Sequence, residues 1–224
     1  KVVTFDWQHR VIGADGKSHV LKDGEPFPLG YRPVEDYLTF SPRRVILKPK
    51  QRQVIRFIAK RPQGMEPGEY RSHFLINEEA LVNAKPDEKS DRPGLSGLVV
   101  VNVSKSVPVF LRQGEMSVNV TLNDINLYRK ADGSLEASYS ITNNSTRSLY
   151  GHIEFVCPQA GADPLIEGAV PLRLYAEYKN VKEKAKVKNN AFMDCPSITA
   201  RIVPMRDKAL KGQILSERQV QITR

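Results

Sequence analysis

The chain has 224 residues, 40% hydrophobic and 26% charged, with a formal charge of +9. That length suits one large or two small domains, each with its own core, and no apolar run approaches the roughly 20 residues of a membrane-spanning helix. The charge admits a polyanion partner, but Lys and Arg are spread along the chain, and the densest cluster, Lys179 to Lys188, alternates with Val181, Glu183 and Val187 like a strand with a solvated face; nucleic acid is not an expected partner.

Few stretches hold a helical period. Short alternating segments broken by Gly, Pro, Asn and Asp predict an all-β chain of sandwich type. Lys1-Val2-Val3-Thr4-Phe5-Asp6-Trp7 reads as a strand already under way, so we expect a fragment whose first sandwich lacks its opening strands. Predicted strands follow at Val2–Trp7, Tyr37–Phe40, Arg44–Leu47, Gln53–Ala59 and Tyr70–Asn77, with a turn at Ala14-Asp15-Gly16-Lys17. Ala84 to Gly97 is polar, carries prolines and glycines, and reads as a mobile loop.

The next predicted strand, Leu98–Arg112, is the most informative. Val99, Val101 and Val103 share one face; Val100, Asn102 and Ser104 share the other. Pro108 removes a ladder donor and argues for a sheet edge. An apolar edge is a liability unless the protein's work is to pair it with another chain. By alternation alone, the three valines read first as the core face of their own sandwich.

A boundary falls near Gln113-Gly114-Glu115, giving a first domain over 1–112 and a second over 116–224. Predicted strands in the second are Ser117–Leu122, Ile125–Lys130, Leu135–Thr142, Gly151–Val156, Ala169–Tyr178, Ala185–Val187, Ser197–Val203 and Gln219–Thr223, with a hairpin turn at Ala131-Asp132-Gly133-Ser134.

Catalytic chemistry is not visible. His9, His19, His73 and His152 stand apart with no metal-ligand spacing. Gly94-Leu95-Ser96-Gly97 lacks nucleophile-elbow spacing, and no glycine loop suits a phosphate. Glu78-Glu79 and Asp87-Glu88 read as solvated acids. We expect no enzyme, cofactor or metal. The two cysteines, Cys157 and Cys195, fit one disulfide in an oxidising compartment or two buried thiols in a reducing one.

Phe40-Ser41-Pro42-Arg43-Arg44-Val45-Ile46-Leu47-Lys48-Pro49, then Gln53-Val54-Ile55-Arg56, resembles a segment of the PapD-like periplasmic chaperones of the chaperone–usher pilus pathway. Pro67-Gly68-Glu69-Tyr70-Arg71-Ser72-His73-Phe74 resembles that family's next-to-last strand of the first domain, and Val103 to Arg112 its last. Asn143 to Gly151 resembles a recurrent segment of the second domain, departing at Asn144-Ser145. The resemblance covers most of the chain and weakens after residue 152.

It implies two immunoglobulin-like β-sandwiches in an L-shaped arrangement, in the periplasm. It implies binding of pilus (fimbrial) subunits by donation of an edge strand, with delivery to an outer-membrane usher. Val99, Val101 and Val103 would enter the subunit's groove. Arg112 would tie the domain junction, with Glu69 as partner. Cys157 and Cys195 would form a disulfide. A second copy of the chain is a candidate partner for the free edge, the sequence leaving the oligomeric state open, and no membrane insertion is expected. The family anchors the subunit's terminal carboxylate with a basic residue of its first strand and a lysine of its last. Here Pro108 occupies the lysine's place, which leaves Lys105, on the valine face, as the candidate anchor. The competing reading is a two-domain immunoglobulin-like surface or adhesin protein without chaperone activity.

Overall fold

The computed structural model describes residues 1–13, 16–79, 102–158, 163–187, 195–205 and 207–223. Among them there is no α-helix, and all strand pairings but one are antiparallel. The all-β sandwich expectation holds. Val99 and Val101, the stretch Ala84–Gly97 and turn residues Ala14 and Asp15 lie outside the described residues.

The first half is built on β1 (Val2–Gln8), which alternates Val3, Phe5 and Trp7 on one face. Around it lie a hairpin of β2 (Arg10–Ile12) with β3 (Ser18–Val20), then β4 (Leu38–Ser41), β5 (Arg44–Ile46), β6 (Arg56–Ala59), β7 (Gly68–Glu79) and β8 (Val103–Gln113). A four-stranded sheet runs β5-β1-β7-β8, and β4 pairs only with β6. In register, Val3, Phe5 and Trp7 stand opposite Glu78, Ile76 and Phe74 of β7. Their rings meet Phe40 and Phe57 of the two-stranded layer; Trp7 stands edge-on to Phe40 at 5.3 Å, and Phe57 to Phe74 at 5.0 Å.

One expectation changes here, and one hairpin was not expected. The strand expected over Gln53–Ala59 begins at Arg56, because its partner β4 ends at Ser41 and Pro42 has no N–H to extend the ladder. The hairpin flanking residues 14–17 had no strong pattern, since Ser18–Val20 is exposed throughout.

The second half is a sandwich of two four-stranded sheets. One contains β9 (Val120–Arg129), β10 (Leu135–Asn143), β13 (Asn180–Val187) and β16 (Gln221–Thr223), ordered β13-β10-β9-β16. The other contains β11 (Leu149–Cys157), β12 (Leu165–Leu174), β14 (Thr199–Pro204) and β15 (Ser216–Gln219), ordered β12-β11-β14-β15. Leu122, Leu127, Ile141, Ile153, Phe155 and Ile202 fill the space between them, all essentially without solvent contact.

The strands expected over Ser117–Leu122 and Ile125–Lys130 are one strand, β9, with a bulge. The ladder passes from Ser140↔Asp124 to Ile141↔Leu122, leaving Asn123 out and bound to Thr142 at 2.8 Å. The bulge moves the buried set from even to odd residues, Val120 and Leu122 before it, Ile125 and Leu127 after. Strand β12 ends at Leu174 rather than Tyr178. It carries a bulge where Gly168 takes φ +75°, and Tyr175–Tyr178 closes as a turn held by the Asn143 amide. The last expected strand divides: β15 pairs with β14, and β16 crosses to lie parallel to β9 in the opposite sheet.

Candidate functional site

Strand β8 ends its sheet, pairing with β7 from Glu78↔Val103 to Gly68↔Gln113. Its two faces have different surroundings. The odd face carries Val103, Lys105, Val107, Val109 and Leu111. Val109 and Leu111 pack against the cluster of Val34, Leu38 and Tyr70. Val103 and Val107 remain 50% and 48% exposed, and Lys105, opposite Ile76, is exposed between them. Among the described residues the cluster that Val109 and Leu111 join, which includes Leu38 of β4, does not reach Val103 and Val107. A row of valines on one face therefore runs from core to solvent along an edge that is unpaired among the described residues.

The even face of β8 and the odd face of β7 meet the second half. Glu69, almost fully buried, accepts from the Ser148 backbone N–H at 3.0 Å and from the Ser148 hydroxyl. Arg112 Nε donates to the same carboxylate at 2.9 Å, and its Nη2 donates to the Ser148 carbonyl at 3.1 Å. Glu69 and Arg112 are thus brought together, and they join the two halves through one serine. Asp207, which lines this cleft from the second half, is taken by Arg147 at 2.5 Å. Phe110 stands edge-on to Tyr150 at 6.0 Å. Pro108 lies opposite His73 and offers no N–H.

Arg71 escaped the sequence reading. It is 3% exposed and pairs with Glu177 of the second half. Its guanidinium lies 3.8 Å from the ring centre of Tyr175 and 4.8 Å from that of Tyr31. The available signal was Glu69, Arg71 and His73 at two-residue spacing, a charged face on a strand whose other face carries Tyr70 and Phe74. His73 is buried beside Tyr175, and its Nδ1 has no hydrogen-bond partner among the described residues. Burial, and then the neighbouring Arg71, Arg10, His9 and Arg173, push its pKa down to about 4. Burial likewise pushes the Tyr31 hydroxyl up to about 12.

The sulfurs of Cys157 and Cys195 are bonded, with Cα atoms 5.9 Å apart. Among the described residues no group of His, Cys, Asp or Glu could hold a metal ion, and no helix is long and apolar enough to cross a membrane.

No protein family and no curated protein matches the chain. Among solved structures it is similar to a chaperone–tip adhesin complex of CFA/I fimbriae biogenesis, at 15% identity over 90% of this chain and 79% of that one, with a TM-score of 0.38.

Proposed function

We propose that this chain is a periplasmic chaperone that binds an incomplete β-sandwich subunit of a pilus or fimbria by donating β8 as an edge strand. The observation that carries the reading is the half-exposed odd face of β8, Val103 and Val107, at an edge free of partners among the described residues. A subunit missing one strand offers the complement, an apolar groove bounded by unpaired ladder groups. Val99, Val101 and Val103 fill successive pockets of that groove. Each valine buried contributes roughly 1.5 kcal/mol or more by apolar transfer, and the backbone ladder sets register. The motif resemblance of residues 40–112 supports the same reading, as does the Glu69–Arg112 tie at the junction. Delivery to an outer-membrane usher follows from that assignment. The action is binding, without catalysis or cofactor.

The test is co-expression of the full natural chain with a pilus-type subunit lacking its own last strand. Val101→Asp puts an unpaired carboxylate into a dry groove and should abolish co-purification while the chaperone stays folded. Lys105→Ala examines the anchor and should weaken binding about tenfold if the ammonium holds the subunit's terminal carboxylate. Wild-type yield from Val101→Asp would sink strand donation and favour a surface or adhesin protein.

A further inference from the structure

We infer that Arg71 is a positioning residue, the pin of a second tie that holds the two halves at one angle. It is separate from the Glu69–Arg112 tie and gathers three segments of the first half onto one corner of the second. From β7, the Arg71 guanidinium pairs with Glu177. Its Nη1 donates to the Arg10 carbonyl of β2 at 2.9 Å. Its Cζ also lies over the rings of Tyr31, in the loop before β4, and Tyr175, in the turn after β12. A planar guanidinium can stack between two rings and still donate in its own plane; an ammonium cannot.

The remaining charges make the pair necessary. Arg10, His9, His73 and Arg173 bear on this corner as cations or potential cations, and Glu35 is bound to Ser72 and His9. Glu177 is therefore the acid that compensates Arg71, and removing it leaves a buried charge uncompensated. Gly30, at φ +86°, turns the loop before β4 beside Glu177, where a Cβ would make an ordinary contact at 3.8 Å. The consequence for subunit capture rests on the strand-donation reading: the tie decides where the exposed face of β8 stands relative to the second sandwich.

The experiment uses the whole chain with spin labels on Lys60→Cys and Lys186→Cys, both exposed positions in opposite halves, and measures the distance distribution by pulsed electron resonance. The unsubstituted tie should give one narrow distribution. Arg71→Met should at least double its width, Arg71→Lys should fail to restore it, and Glu177→Gln should broaden it while the first half remains folded. Should Arg71→Met not fold, Glu177→Gln alone decides. Equal narrow distributions for wild type and Glu177→Gln would overturn the tie. Subunit affinity should fall about tenfold in Glu177→Gln, within the usual range of coupling between sites. A broadened distribution, in a protein whose wild type captures no subunit, would uphold the tie and overturn strand donation alone.

Discussion

Strands β8 and β13 occupy the same topological position, each at the end of a four-stranded sheet, and they treat it in opposite ways. β13 turns Val181 and Val187 inward, 1% and 7% exposed, and places Lys182, Lys184 and Lys186 in solvent. β8 carries the same two-residue alternation, yet the inward members Val103 and Val107 stay half in water. The facing layer makes the difference. Val181 and Val187 of β13 belong to the core between two four-stranded sheets, whereas among the described residues β8 packs Val109 and Leu111 on Val34, Leu38 and Tyr70 and leaves Val103 and Val107 outside that cluster. Alternation defines a face; only the opposing layer decides whether that face is core or contact surface. The lysines of β13 also do what charged edges commonly do, keeping the edge unattractive to other strands.

The largest effect that can test this contrast is a matched pair. Val181→Asp buries a carboxylate without a partner and should destabilise the second half by about 5 kcal/mol. Val107→Asp should cost less than about 1 kcal/mol, because the new carboxylate stays hydrated, while subunit binding is lost. Separate urea melts of the two variants read both numbers. Equal destabilisation would mean that β8 is covered like β13, and the contrast would disappear.

The second contrast is covalent. Both cysteines of the chain lie in the second half and are joined across 38 residues. Closing a loop of that size stabilises by about 4 kcal/mol through the entropy of the unfolded chain. Reductant should therefore lower the melting transition of the second half and leave that of the first in place. A parallel drop in both would show that the halves unfold as one unit.

These differences were unevenly visible in the sequence. The two faces of β8 and the terminal position suggested by Pro108 follow from local rules, period two and a missing donor. The Asn123 bulge was hidden, because an inserted residue breaks the period and makes one strand read as two. The Arg71–Glu177 pair was hidden for a different reason. A strand's charged face looks solvated until a second sandwich is set against it, and the partner lies 106 residues away. The cysteine count was compatible with a bond or with thiols, and only the spatial approach of β11 to the segment before β14 brings the sulfurs together. Val99 and Val101 were chosen by periodicity and lie outside the described residues.

A smaller effect should come from His73, which belongs to the junction rather than to either edge. Its folded-state pKa of about 4 lies below the usual 6.5, so the unfolded chain binds a proton that the folded chain refuses. Stability therefore rises with pH between about 4 and 6.5 and is lost on acidification through that window, by an amount on the order of 2 kcal/mol once solvent at the junction is allowed for. His73→Gln should flatten this slope in melts at pH 4.5, 5.5 and 6.5. An unchanged slope would assign the acid sensitivity to other groups.

The smallest expected effect on stability tests the two edges directly. Lys182, Lys184 and Lys186 are exposed and alternate with the buried members of β13, so replacing all three by Val changes the solvent face without touching the core. The melting free energy should move by no more than about 0.5 kcal/mol, since Val favours strands and the lost charges are mostly solvated. One local ion pair sits nearby: Lys130 holds Glu136 at 2.7 Å and is left in place. The association state should change instead. The variant would present an apolar outward face beside a sheet edge that is unpaired among the described residues, and size-exclusion with light scattering should show concentration-dependent dimers. Adding Val107→Lys to the triple variant separates pairing through β13 from pairing through β8. If dimers persist, they form through β13, and the lysines are what keeps that edge single. If the triple variant stays monomeric at millimolar concentration, the lysines are ordinary solvated residues, and the difference between the two edges rests on layer coverage alone.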